Sequence, residues 1–226
     1  MLSARGSESP TADSALATLC KSYWYPLYAF IRRKGHGPAE AQDLTQEFFA
    51  RLLAKHYFDK ADPQKGRFRS FLLNALTHFL ADEWDRVRRL KRGGGRPVVS
   101  LDDADAEGRY RLEPVEALDA AKIYERRWAL TLLERVLTQL EAEHAQAGKT
   151  ELFAQLQVVL LGDKGSVSYV ELGRRLGMSE GAVKVAVHRM RKRYVQLFRA
   201  EIAHTVASPT EIDDEINHLF AVLCSG

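Results

Sequence analysis

Residues 169–199 constrain the fold more than any other part of this chain. They read Y-V-E-L-G-R-R-L-G-M-S-E-G-A-V-K-V-A-V-H-R-M-R-K-R-Y-V-Q-L-F-R. Val170, Leu172 and Leu176 supply one apolar side of a short helix. Gly177-Met178-Ser179-Glu180 then forms a corner: Gly177 suits a left-handed helix end and Ser179 suits the N-cap of a second helix. Val183, Val187, Met190, Tyr194 and Leu197 recur at spacings of four and three, which marks one helical face. The opposite face carries Lys184, His188, Arg189, Arg191, Lys192 and Arg193. Such a chain segment can fold as a helix, a tight corner and a basic second helix, the pattern of a helix-turn-helix unit.

The charge distribution points the same way. The chain has 226 residues and a net charge of +3. Residues 65–96 contain nine Lys/Arg against three acids, and residues 174–199 eight against Glu180 alone. Residues 201–226 reverse the sign, with five acids and no Lys or Arg. Two basic segments separated in sequence suggest two contacts with a polyanion.

Apolar periodicity extends the helical reading to the rest of the chain. Residues 1–13 read as a disordered tail. From Ser14, the positions Leu16, Leu19, Cys20, Tyr23, Leu27, Phe30 and Ile31 line one side of a helix, which Pro26 should kink or restart. A second helix begins at Pro38, with a stripe of Leu44, Phe48, Leu52 and Leu53. On it, Asp43, Gln46 and Glu47 form a polar set expected to face outward. After a loop at 59–66, a long helix runs from about Arg67 to Arg92, with Phe68, Phe71, Leu72, Ala75 and Phe79 towards the core. Residues 96–124, with Pro97, Pro114 and an acidic cluster, read as a linker. Helices follow from near Tyr124, with Trp128, Leu132, Leu133, Val136, Leu137 and Leu140 in register, and from Leu152 to Leu161; residues 141–150 read as a loop or frayed end. Ser208-Pro209-Thr210-Glu211 has the form of a capping box, opening an acidic amphipathic helix through Ile212, Ile216, Leu219, Phe220 and Leu223.

The chain therefore reads as all-α: two small helical domains joined by a flexible linker, with a C-terminal amphipathic helix. The expected divisions are a tail at 1–13, a first domain at 14–95, a linker at 96–124, a second domain at 125–204 and an extension at 205–226. Some classes of function fall away. Cys20 and Cys224 have no metal-ligand spacing, the glycine runs at 93–95 and 162–165 lack the phosphate-loop form, and the acids at 211–215 imply no pocket. No cofactor, metal or catalytic residue is expected. No apolar run has the length of a membrane span, and the N-terminus lacks the apolar core of a secretory signal, so a cytoplasmic protein without membrane contact is expected.

Two blocks of residues resemble a known family. A-E-A-Q-D-L-T-Q-E-F-F-A-R-L-L (39–53) with G-R-F-R-S-F-L-L-N-A-L-T-H-F-L-A-D-E-W-D-R-V-R-R (66–89) resembles region two of the extracytoplasmic-function sigma factors of bacterial RNA polymerase. Residues 169–193 resemble their region-four helix-turn-helix. The resemblance implies a transcription initiation factor that binds core RNA polymerase, through the beta-prime clamp and beta subunits, and both double-stranded and melted promoter DNA. It implies that Asp43, Gln46 and Glu47 face the polymerase. It implies that Lys65, Arg67, Phe68, Arg69, His78, Trp84, Arg86, Arg88 and Arg89 serve the minus-ten element, where bases stack on aromatic side chains. Ser179, Glu180, Lys184, His188, Arg189, Arg191, Lys192 and Arg193 would serve the minus-thirty-five element from the major groove. An anti-sigma factor is a regulatory partner that members of this family can have. Departures are Val185-Ala186 where a Ser-Arg pair is common, His78 where Asn is common, the stretch E-A-E-H-A-Q-A-G-K-T before the second block, and the acidic C-terminal helix. Two rivals remain at this point: a free-standing helix-turn-helix regulator, and a recombinase or nuclease, for which the first domain offers no nucleophile or metal-binding carboxylate set.

Overall fold

The computed structural model describes residues 10–54, 67–89, 106–111, 119–162 and 167–224, and the side chains among them from residue 22 onward except 87–89 and 161. Among these residues all regular structure is helical: α1 (Pro10–Arg33), α2 (Pro38–Ala54), α3 (Phe68–Arg89), α4 (Ala106–Arg111), α5 (Ala120–Gln146), α6 (Thr150–Leu161), α7 (Tyr169–Leu176), α8 (Glu180–Ala203), a 3-10 turn (Pro209–Glu211) and α9 (Ile212–Cys224). No described helix is long and apolar enough to cross a membrane. Two units emerge, one from residues 1–131 with 202–226, the other from residues 132–201. The C-terminal segment thus belongs with the first unit, whereas the sequence suggested a separate extension starting at 205.

The first unit is built around α1. Every residue from Ser22 to Ile31 is buried. A helix covered on all sides needs apolar residues all round, and S-Y-W-Y-P-L-Y-A-F-I supplies them. Pro26 does not end α1, which continues through it. Proline inside a helix costs about 3 kcal/mol, and burial of Trp24, Leu27 and Phe30 offsets this, each such side chain contributing about 1.5–3 kcal/mol. Aromatic contacts complete the centre: Trp24 stacks on Tyr28 at 5.3 Å between centroids, and Tyr23 meets Phe68 edge-on at 5.6 Å. On α2 the buried set is Ala41, Thr45, Gln46, Phe48, Phe49 and Leu52, while Leu44 and Leu53 are only half-buried. On α3 it is Arg69, Leu72, Leu76, Phe79 and Glu83, with Phe68, Phe71 and Ala75 half-buried.

Helix α4 lies in the segment expected to be a flexible linker, and packs on α1. Arg32 donates through Nε and Nη2 to the two oxygens of Glu107, at 2.9 and 3.0 Å, and Tyr28 donates its hydroxyl to the same carboxylate at 2.7 Å. The Arg109 guanidinium lies 3.9 Å from the centre of the Tyr25 ring. Six residues make a marginal helix alone, so these contacts are what hold it. The linker expectation otherwise falls on 96–105 and 112–118, outside the described residues, and α5 starts at Ala120, before the expected Tyr124. Helix α1 starts at Pro10, inside the expected tail, as suits proline at a first helical turn.

In the second unit, Leu132, Val136, Leu140, Phe153, Leu156, Val159, Leu172, Val183, Val187, Met190 and Leu197 are buried. Helix α5 runs on through the polar residues 141–146, where a loop or frayed end was expected, before turning at Gly148 with a positive φ of 68°. The α7–α8 corner forms on its local signals. Gly177 ends α7 in the left-handed region at φ 63°, and Ser179 Oγ accepts the Ala182 amide at 3.2 Å. Val170, expected on the apolar side of α7, is exposed; the buried neighbour of Leu172 is Gly173.

Candidate nucleic-acid interface

On α2, Asp43 is exposed, and Glu47 is half-buried beside Arg51. Gln46 does not join them: its exposure is 8 %, so the outward set reduces to Asp43 and Glu47. The reason is the breadth of the covered face, which spans Ala41 to Phe49 and takes in Gln46.

Arg51 connects this face to α3. It donates through Nε to Glu47 at 2.8 Å and through Nη2 to the buried Glu83, and its guanidinium lies 4.9 Å from the centre of the Phe79 ring. Glu83 in turn accepts from Arg86, at 2.9 Å from Nε and 2.7 Å from Nη2. Burial works against the charge on Arg51, but Glu47 and Glu83 outweigh it and raise the guanidinium pKa above its usual value. Neither Glu83 nor Arg51 stood out in the sequence, because their pairing joins positions 32 residues apart.

Beyond this network α3 presents His78 and Trp84, both exposed, Trp84 by 60 %. Trp84 is thus off the core. Arg86 is exposed as well, though held by Glu83. Lys65 and the side chains of Arg88 and Arg89 lie outside the described residues.

The start of α3 departs furthest from expectation. Arg69, expected to touch DNA, has a side-chain exposure of 3 %. Its Nε donates to Glu215 at 2.7 Å, its Nη1 to Glu125, and its backbone carbonyl accepts from the Tyr124 hydroxyl at 2.9 Å. Burial lowers the pKa of this guanidinium, but Glu215 and Glu125 more than compensate and keep it charged. A group so enclosed cannot reach a nucleic acid, so Arg69 is a core residue of the first unit. Phe68 is half-buried against Tyr23 and Phe71. Arg67 is half-buried too, with 29 % side-chain exposure and its Nε 2.7 Å from Glu215 Oε2.

The second unit carries its basic residues on α8. Lys184, His188, Arg189, Lys192 and Arg193 are exposed, Ser179 and Glu180 precede them at the exposed start, and Val185 lies among them. Lys184 bonds Glu180 at 2.6 Å, a hydrogen bond that raises the lysine pKa. Two further cations also have partners within the second unit. Arg191 is half-buried and donates to the Val159 carbonyl at 2.9 Å, while Arg193 donates through Nε and Nη2 to Glu143 at 2.8 and 2.6 Å. Those bonds raise the Arg193 pKa and lower that of Glu143. The exposed basic row of α8 is therefore Lys184, His188, Arg189, Lys192 and Arg193, of which Lys184 and Arg193 also pair with Glu180 and Glu143. Among the described residues no group of side chains could hold a metal ion.

Residues 19–90, which contain most of α1 and all of α2 and α3, match the family model described as Sigma-70 region 2. No curated protein and no solved structure matches the chain. The match speaks for residues 19–90, which are less than half of the chain.

Proposed function

We propose that this chain is a sigma-type initiation factor of the extracytoplasmic-function kind: it binds core RNA polymerase, directs it to a promoter and favours strand opening. The observation that carries this reading is the match of residues 19–90 to sigma-70 region 2. Within that segment, Asp43 and Glu47 on α2 offer the acidic contact with the polymerase. His78, Trp84 and Arg86 on α3 offer stacking and charge to the minus-ten strand. A flipped or unpaired base gains ~1–3 kcal/mol by stacking, against a few kcal/mol for unpairing, so several such contacts favour the open strand without ATP.

The second unit would place the start of α8 in the major groove of the minus-thirty-five element, with Lys184, His188, Arg189 and Lys192 as contacts. Val185 would meet a base edge as an apolar group where the family commonly has a polar one. The chain contributes binding; polymerisation belongs to the core enzyme.

The test is transcription of fragmented genomic DNA by bacterial core polymerase with and without the protein. New start sites sharing two spaced upstream motifs support the reading, and no new starts reject it. Glu47→Lys separates an initiation factor from a free-standing regulator: it should weaken polymerase binding and leave isolated DNA binding intact.

A further inference from the structure

The acidic C-terminal helix carries a carboxylate that is wholly buried in the first unit. Glu215 on α9 has a side-chain exposure of 0 %. Its Oε1 meets Arg69 Nε at 2.7 Å and its Oε2 meets Arg67 Nε at 2.7 Å. The Phe68 amide, the first N–H of α3, donates to the Thr205 carbonyl at 3.3 Å. Three consecutive residues at the start of α3 are thus held by residues 205–215, and a helix N-terminus that would otherwise leave orphan donors is supplied with an acceptor.

The two arginines differ in what else they meet. Arg69 is closed off by Glu125, whose other oxygen lies 3.4 Å from His218 Nε2. Arg67 keeps 29 % side-chain exposure, and among the described residues its guanidinium has Glu215 as its partner, through Nε. A guanidinium paired through Nε keeps the N–H donors of its two Nη atoms, and such a fork is suited to a phosphate when it is held still. The chain around it is strongly basic, with residues 65–96 carrying a surplus of six positive charges, nine Lys/Arg less three acids.

We propose that Glu215 is a positioning residue: it fixes Arg67 from beneath so that the outer edge of the guanidinium binds a backbone phosphate of the promoter strand. The inference rests on the function proposed above and assigns the C-terminal helix a part in it. A fork fixed before binding loses less freedom on binding, which is the source of the gain. Competition, in which Glu215 keeps Arg67 from the strand, is the opposite outcome and is distinguished by the sign of the effect.

The experiment uses the full chain and a labelled mixed-sequence single strand, with affinity measured by fluorescence anisotropy across a salt series. Arg67→Ala should weaken binding and reduce the log–log salt slope by about 0.7, the value for one single-strand phosphate. Glu215→Gln should weaken binding about tenfold in the wild-type background and have no further effect in the Arg67→Ala background. Leu219→Ala, which loosens the same helix without touching Arg67, should leave strand affinity unchanged at temperatures where the protein is folded. A merely structural Glu215 would show no such coupling to Arg67. Should Glu215→Gln fail to fold, Arg67→Lys decides instead: it keeps the charge but has no Nε to be held, and should lose about tenfold in affinity with the slope unchanged.

Unchanged binding in Glu215→Gln or Arg67→Lys, tighter binding in Glu215→Gln, or an unchanged slope in Arg67→Ala overturns the inference. A wild-type chain that binds no strand and starts no transcription overturns the function proposed above; a wild-type chain active in both, with Arg67→Ala equally active, overturns the inference alone.

Discussion

Gly173→Ala tests the corner between α7 and α8 more sharply than any change on its surface. A Cβ at position 173 would sit 2.6 Å from the Met178 carbonyl oxygen, so that oxygen would have to retreat by at least 0.4 Å (3.0 less 2.6) to reach the closest approach real Cβ atoms show. The obstacle is backbone, and it is pinned to the same glycine: the Met178 amide donates to the Gly173 carbonyl at 2.8 Å. Overpacking costs about 1–3 kcal/mol, with the upper end expected where no side chain can turn aside. Alanine is favoured over glycine within a helix by about 1 kcal/mol, which leaves a net loss of about 2 kcal/mol and about 30-fold less protection. Trp24, Trp84 and Trp128 all lie in the first unit, so fluorescence does not report this change. Amide hydrogen exchange does, at Met178 and at Val183, whose amide bonds the Ser179 carbonyl. Gly181→Ala is the control, because its Cβ would meet nothing within 4 Å; it should slow exchange in α8. Equal or greater protection in Gly173→Ala would refute the close approach of α7 to the corner as the reason for glycine there.

Three further outcomes are expected. Arg69→Met should destabilise the first unit by about 3 kcal/mol, because it removes the buried cation shared by Glu215, which keeps its contact with Arg67, and by the half-buried Glu125; a urea midpoint by tryptophan fluorescence measures it, and a loss below about 1 kcal/mol would count against the buried network. Trp84→Ala should change stability by no more than about 0.5 kcal/mol yet weaken single-strand binding by ~1–3 kcal/mol; wild-type affinity would remove Trp84 from the interface. The hydrogen bond from Arg32 holds the Glu107 pKa below the ordinary value of 4.5. A carboxylate depressed on folding stabilises above its unfolded pKa and loses that contribution as pH falls through the folded one. Protection of α4 amides should therefore be constant above about pH 4.5 and fall in more acid solution. Glu107→Gln should abolish that pH dependence, and an unaltered acid profile in the variant would place its origin elsewhere.

What the sequence determined by itself was local. The corner at 177–180 was legible because Gly177 and Ser179 act on backbone groups within a few residues, and the left-handed turn and the cap bond both form there. Apolar spacing along α5 and α8 was legible for the same reason: Trp128, Val136, Val183 and Val187 are buried on the faces their spacing marks. The capping box at 208–211 formed only in part. Pro209 opens a 3-10 turn, Ser208 makes no cap bond to the backbone, and the Glu211 carboxylate accepts from Ala207 at 3.4 Å.

Only the tertiary structure decided which charges remain available. Arg67 and Arg69 are alike in sequence, two residues apart in a basic run, and nothing local distinguishes them. Glu215, 146 residues beyond Arg69, pairs with both, and Glu125 joins it in enclosing Arg69 at 3 % exposure while Arg67 keeps 29 %. Arg51, Glu83 and Arg86 form their network across α2 and α3 in the same way. Pro26 stays within α1 because the helix is enclosed on every side, which outweighs the local cost of proline. Helix caps and faces follow from neighbours along the chain; the fate of a charge depends on which distant carboxylate the fold brings within 3 Å of it and on how much water it removes.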